Sequence, residues 1–336
     1  MRAMTLSRPA PVDESPLSIQ DVSLPAAGPG EILIRVRACG VCHTDLHIVE
    51  GDLPSQKTPL IPGHQVVGVV EQVGAGVSRF MLGDRAGVPW LFASCGVCAM
   101  CRAERENLCE QITFTGYHVD GGYADFMVAK ADYAYRVPDQ FDDLSAAPLL
   151  CAGIIGYRSL RLSEIRPGGR LGLFGFGASA HLAIQVARHW GCEIFVFTRG
   201  EEHRRLARAL GAVWVGGVED RVPAALDSAV VFAPSGQVVI AALGRLRRGG
   251  TLAINAIHLD RMPAFDYDLL YWERTMRSVS NSTRKDAEEF LSLAAAIPIR
   301  THPVAYRLEQ VNEALQALKR GSISGAAVLD LTDVEG

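Results

Sequence analysis

Cysteines and one histidine on a glycine turn carry most of the chemistry this chain could do. Cys95, Cys98, Cys101 and Cys109 fall within fifteen residues, in "CGVCAMCRAERENLC", at C-x2-C-x2-C-x7-C. Two-residue gaps turn successive thiolates inward on one tight loop. The longer gap brings back a fourth to close a tetrahedron. Four thiolates with no open position describe a structural zinc site. An iron–sulfur cluster takes comparable spacings, but no proline follows the last cysteine and no second cluster motif exists. Disulfides need an oxidising compartment, and the N-terminal "MRAMTLSRPAPVDESPL" has no apolar h-region, so a cytoplasmic protein is expected.

The remaining cysteines are Cys39, Cys42, Cys151 and Cys192. Cys39 and Cys42 have the C-x2-C spacing of a redox pair. A thioredoxin-type pair opens a helix in a βαβ unit, however, and this stretch is β-rich. Taken singly, Cys42 and Cys151 read as small buried hydrophobes, and His64, in "PGHQVVG", as a structural histidine. A third constellation is a glycine turn: Gly175, Gly177 and Ala180 spell G-x-G-x-x-A between a strand and a helix. Gly175 permits the tight turn, Gly177 lets backbone amides approach a pyrophosphate, and Ala180 keeps helix and strand close. The acidic residue expected about 20 residues on, at the end of the second strand, is replaced by Thr198-Arg199. No carboxylate repels a 2′-phosphate there and Arg199 can pair with one, which favours NADP(H) over NAD(H).

The elements that must position these residues fall into two textures. Residues 30 to 135 are β-rich, with "EILIRVRAC", "HQVVGVVEQVG", "DRAGV" and "YADFMVA" as short runs punctuated by Gly and Pro. Near 150 the pattern changes to strands alternating with amphipathic helices: "RLGLFGFGASAHLAIQVARHWG", "EIFVFT", "EEHRRLARALGA", "SAVVFAPSG", "QVVIAALGRLRRGG" and "TLAINAI". That alternation argues a parallel, doubly wound sheet. After about 283 come a helix, "RKDAEEFLSLAAA", then "VAYRLEQVNEALQALKRG" and a last strand, "GAAVLDL". This tail is too short for its own core and returns to the first domain. With 336 residues, two domains are the expectation. A net charge of −4 without a basic block excludes nucleic acid as a natural partner. The most apolar window is interrupted by glycines, a histidine and a glutamine, so no membrane span is expected.

"GVCHTDLH", "PGHQVVGVVEQVGAGV", the four-cysteine loop, "DGGYADF", "LLCAG" and "GFGASAHLAIQVA" together resemble the zinc-dependent alcohol dehydrogenases of the medium-chain dehydrogenase/reductase superfamily, in order and spacing and over nearly the whole chain. The resemblance implies a GroES-like β-rich catalytic domain, 1–152 with 284–336, and an inserted Rossmann domain, 153–283. It places catalytic zinc ligands on Cys42, His64 and Cys151, leaving one position for water or substrate, and so implies two zincs per chain. A zinc Lewis acid lowers the pKa of a bound alcohol, and a deprotonated alcohol expels hydride from carbon far more readily. The resemblance makes Thr44 the first proton acceptor and His47 the group that passes the proton to solvent. Asp45 orients His64. Trp90 and Leu53 line the pocket for a primary or secondary alcohol, or an aldehyde or ketone. A homodimer or homotetramer is implied. Three positions depart from the family pattern: Gln65 replaces a glutamate, Ile155 a threonine and Ala326 an arginine. A complete ligand set argues against a zinc-independent quinone-type reductase, Cys151 against a polyol dehydrogenase, and Thr44 with His47 against a catalytically silent binding protein.

Overall fold

A computed structural model of the chain describes residues 1–332. Two compact units result. The first comprises Met1–Cys151, Asn281–Ala296 and the chain from Thr301; the second comprises Ala152–Ser280 with Ile297–Arg300.

The first unit begins with the antiparallel pair β1 (Arg2–Leu6) and β2 (Leu17–Asp21). It continues through β3 (Glu31–Val41), α1 (His43–Glu50), β4 (Gln65–Val73), β5 (Arg85–Val88), β6 (Leu91–Ala93), α2 (Ala99–Arg102), β7 (Thr113–Phe114), β8 (Phe126–Lys130), β9 (Tyr135–Arg136) and α3 (Asp143–Ala146). The second holds α4 (Ala152–Leu162), β10 (Arg170–Phe174), α5 (Ala178–His189), β11 (Glu193–Phe197), α6 (Glu201–Ala209), β12 (Trp214–Gly216), β13 (Leu226–Val231), α7 (Gly236–Arg245), β14 (Leu246–Ile254), α8 (Asp268–Tyr271) and β15 (Thr275–Ser278). Helix α9 (Arg284–Ala296), β16 (Pro303–Arg307), α10 (Val311–Lys319) and β17 (Ala326–Asp330) return to the first unit.

Strand β3 organises the first unit. It pairs antiparallel with β4, β8 and β17. It is therefore central, which is why its apolar run is buried on both faces. Register shifts against β4 at Leu33/Ile34 and Val36/Ala38 bend it. Its last residue, Val41, is still paired to Ala327 of β17, so the chain leaves the sheet at Cys42 from a fixed point.

The second unit is a six-stranded parallel sheet in the order β12-β11-β10-β13-β14-β15. The order reverses at β10, which pairs with both β11 and β13. Such a switch point opens a crevice at the carboxyl ends of the strands. "RLGLF" and "EIFVF" are buried on both faces, and Phe174 stacks on Phe197 with centroids 4.0 Å apart. Burying each ring stabilises the sheet by about 2–3 kcal/mol. One element starts earlier than its residues suggest. Helix α7 stops at Arg245, and "LRRGG" is already strand, because Leu246 pairs with Leu226 before the register shifts to Thr251 and Ser228. No helix among the described residues is long and apolar enough to cross a membrane.

Candidate active site and cofactor turn

Cys42 is the N-cap of α1, in extended backbone, and its Sγ accepts from the Thr44 N–H at 3.3 Å. Asp45 completes a capping box by accepting the Cys42 N–H on Oδ2 at 3.0 Å. The box turns the buried Asp45 carboxylate inward, where Oδ1 lies 3.0 Å from His64 Nδ1. Neither side chain has any solvent exposure. His64 Nε2 then faces Cys42 Sγ at 3.3 Å. Gly63 makes this possible: at φ +97° it turns the chain into β4, and a Cβ there would sit 2.4 Å from the Tyr123 ring. Cys151 follows a 3-10 turn, Ala147–Leu150, just before α4. Cys42, His64 and Cys151 each bring one donor atom, and these atoms lie within 4.8 Å of one another.

The surroundings of this trio favour positive charge over it. Burial by itself lowers the basicity of His64, but the Asp45 charge and then Cys42 overcome it, pushing the imidazole up to about 10. The Cys42 thiol is held well above its ordinary range, first by its hydrogen bond with Cys151 and then by burial. Two soft sulfurs and an imidazole braced by a carboxylate form a set that binds zinc.

The four sulfurs of Cys95, Cys98, Cys101 and Cys109 also converge within 4.8 Å. Backbone N–H groups point at them: Cys98 N lies 3.3 Å from Cys95 Sγ and Cys101 N 3.5 Å from Cys98 Sγ. Amides of Val97 and Cys98 pull the Cys95 thiol down to about 6. The Ser94 hydroxyl, 3.4 Å from Cys101 Sγ, lowers Cys101. Backbone amides at the Cys109 sulfur lower its thiol, but burial and the neighbouring Cys95 and Cys101 outweigh them and push it up to about 11. Thiolates are the metal-binding form, and a cation among the four sulfurs would offset their mutual repulsion.

Thr44 and His47 lie on α1 downstream of Cys42, and His47 Nδ1 is 2.7 Å from Asp52 Oδ2. Trp90 meets His64 edge-on with centroids 4.7 Å apart, and stacks on Phe114 at 4.7 Å and Tyr117 at 5.8 Å. Leu53 is half-buried and, like Trp90, packs on the core of the first unit. Phe114, Tyr117 and Asp52 were not singled out from sequence. The aromatic spacing in "TFTGYHVDGG" and an acid directly after the helix-ending Gly51 are the signals that could have found them.

In the second unit Gly175 has φ +88°, and a Cβ there would lie 2.9 Å from Ala233 N. Nothing lies within 4 Å of a Cβ built on Gly177, which leaves open space at the N-terminus of α5. Ala180 is fully buried. Thr198 is buried at the end of β11, and its carbonyl accepts from Arg204 Nε at 3.1 Å. Arg199 beside it is exposed.

Residues 28–139 match the alcohol dehydrogenase GroES-like domain and residues 178–296 the zinc-binding dehydrogenase family. The chain belongs to the alcohol dehydrogenases that combine these two domains. It is 49% identical to a probable alcohol dehydrogenase AdhA of Mycobacterium tuberculosis, over 98% of this chain and 97% of the relative. Among solved structures, a cinnamyl alcohol dehydrogenase of Sorghum bicolor superposes with a TM-score of 0.91 at 26% identity, covering 99% of this chain and 98% of that one. A CAD of Helicobacter pylori complexed with NADP(H) superposes with a TM-score of 0.88 at 25% identity, covering 99% of each chain.

Proposed function

We propose that this protein is a zinc-dependent alcohol dehydrogenase or aldehyde reductase that holds two zincs per chain and favours NADP(H) over NAD(H). One observation carries the reading: the donor atoms of Cys42, His64 and Cys151 converge within 4.8 Å, with buried Asp45 behind the imidazole. Three donors leave a coordination position for substrate, whereas the four-cysteine loop leaves none. When bound, zinc supplies Lewis acidity toward an alcohol or carbonyl oxygen, and the nicotinamide accepts or returns the hydride.

The chain's own residues supply the rest. Asp45 fixes the His64 tautomer, so Nε2 is the ligating nitrogen. Trp90, stacked on Phe114 and Tyr117, presents an apolar wall next to His64 and suits an apolar substrate. The Thr44 hydroxyl takes the alcohol proton, and His47 passes it outward. The turn at Gly175 and Gly177 receives the cofactor pyrophosphate, and Arg199 the 2′-phosphate.

Metal analysis of purified protein combined with a nicotinamide absorbance assay tests this. Two zincs per chain and faster alcohol-dependent reduction of NADP than of NAD are expected. One zinc or none in active protein, or preference for NAD, would overturn the corresponding part.

A further inference from the structure

We infer that Asp52 is a positioning residue for the proton relay: it holds His47 in the Nδ1–H tautomer and offsets the ring's charge while it carries a second proton. This rests on the dehydrogenase reading above, and within it on His47 as the outer member of the relay.

Helix α1 ends at Gly51, whose left-handed backbone, φ +83°, reverses the chain. The Gly51 N–H bonds the Ile48 carbonyl and the Leu53 N–H bonds the His47 carbonyl, each at 3.3 Å. These two bonds close the last turn and lay Asp52 back over it. Its Oδ2 sits 2.7 Å from His47 Nδ1. The helix end is pinned from outside. Glu50 accepts the Val12 N–H at 3.0 Å and Lys319 Nζ at 2.8 Å, and the Ala10 N–H bonds the Val49 carbonyl at 3.0 Å. The carboxylate and the imidazole are therefore held in register by three segments of chain.

An ionised carboxylate can only accept, so the hydrogen between the two groups belongs to Nδ1. Nε2 is then the basic nitrogen. Thr44 lies three residues earlier on the same helix and shares its face. The proton balance is simple. As Thr44 takes the substrate's proton it gives up its own, and one proton reaches His47 Nε2. The ring becomes an imidazolium paired to Asp52. The same Nε2 proton then passes to water, and the ring returns to its Nδ1–H form. The His47 side chain is 17% exposed and that of Asp52 42%, so the outer end of the pair meets solvent. The carboxylate favours the Nδ1–H tautomer, and in the Nε2–H tautomer Nε2 cannot accept a proton.

The test compares wild type with Asp52→Asn, Asp52→Glu and His47→Gln, all as full-length zinc-loaded protein. Alcohol oxidation is measured in dilute weak buffer and again with added imidazole. ¹⁵N spectra of histidine-labelled protein report the tautomer. Asp52→Asn should lower kcat about tenfold, less than the full contribution of a general base, with KM little changed. Added imidazole should restore its rate without accelerating wild type. The His47 signals should move from the Nδ1–H form toward a mixture, and Asp52→Glu should recover much of the rate. A wild-type rate in Asp52→Asn, beside a slow His47→Gln, would overturn the inference and leave the relay standing. So would a slow Asp52→Asn that imidazole does not restore, since that is the behaviour of a purely structural helix cap. A wild-type rate in His47→Gln would remove the relay itself.

Discussion

Gln65 is a single residue whose neighbours define what it does. It follows His64 directly and is 2% exposed. Its side chain lies across Gly40 on the paired strand, where a Cβ would meet Gln65 Cδ at 2.8 Å. The amide therefore fills the space left by a glycine, and it does so without a charge. A glutamate of the same shape would add an anion on the residue next to His64 and make deprotonation of an alcohol there harder. Gln65→Glu should accordingly move the pH at which kcat/KM for alcohol oxidation reaches its plateau upward by about one unit. Profiles of the two proteins at equal zinc content decide the matter; superimposed curves would show that this position is only packing. Arg199 offers a second test at this scale. It is exposed beside buried Thr198, with no ion pair to it among the described residues. A charge-assisted contact to a phosphate contributes about 1.5–3 kcal/mol, roughly ten- to a hundredfold in affinity. Replacing Thr198 by Asp and Arg199 by Ala together should invert the ratio of kcat/KM for NADP and NAD, measured with one alcohol.

Elements were legible where a local rule fixed them and obscure where a distant partner did. Helix α9 could be read end to end, since Thr283 and Asp286 cap it reciprocally within four residues. The turn at Gly175 could be read because strand, glycine and helix are contiguous. The start of β14 could not, because Leu246 becomes strand by pairing with Leu226. The Trp90–Phe114–Tyr117 stack was equally hidden, since β6 and β7 meet only in the fold. The ligand trio lies between these cases. Each member is unremarkable alone, and only the order of the motifs around them suggested convergence. The element that most narrowly sets their geometry is the turn at Gly63. Its φ of +97°, and a Tyr123 ring only 2.4 Å from where a Cβ would sit, exclude any side chain. Gly63→Ala should cost about 3 kcal/mol from strain and overpacking, read as a lowered urea midpoint at unchanged m-value. A midpoint equal to wild type would show that the turn tolerates a shift of Tyr123.

At the scale of the whole molecule, both groups of converging ligand atoms lie in the first unit while the turn at Gly175 and Gly177 lies in the second. The two clusters have different surroundings. In the Cys42–His64–Cys151 trio the two cysteines are partly buried and His64 fully so, and around it Asp45 and Tyr123 are fully buried with Val49 and Val66 packed in the core. The four-cysteine loop has little core of its own. Helix α2 buries no residue, and Val97 and Met100 are exposed. What ties the loop down is polar: Tyr133 with Ser94 at 2.7 Å, and buried Glu106 with the Arg284 N–H at 2.8 Å at the start of α9. A loop of this kind would owe much of its order to a metal held by the four sulfurs, because metal-binding free energy is then also folding free energy. Cys98→Ser should therefore lose one zinc per chain and lower Tm by about 5 °C or more, with the strain passed through Glu106 to α9. Cys42→Ser should lose the other zinc and all turnover while Tm stays close to wild type. Zinc analysis, calorimetry and an alcohol oxidation assay on the three proteins separate the roles. If Cys42→Ser melts as early as Cys98→Ser, the trio is also holding the fold, and the division of labour between the two clusters fails.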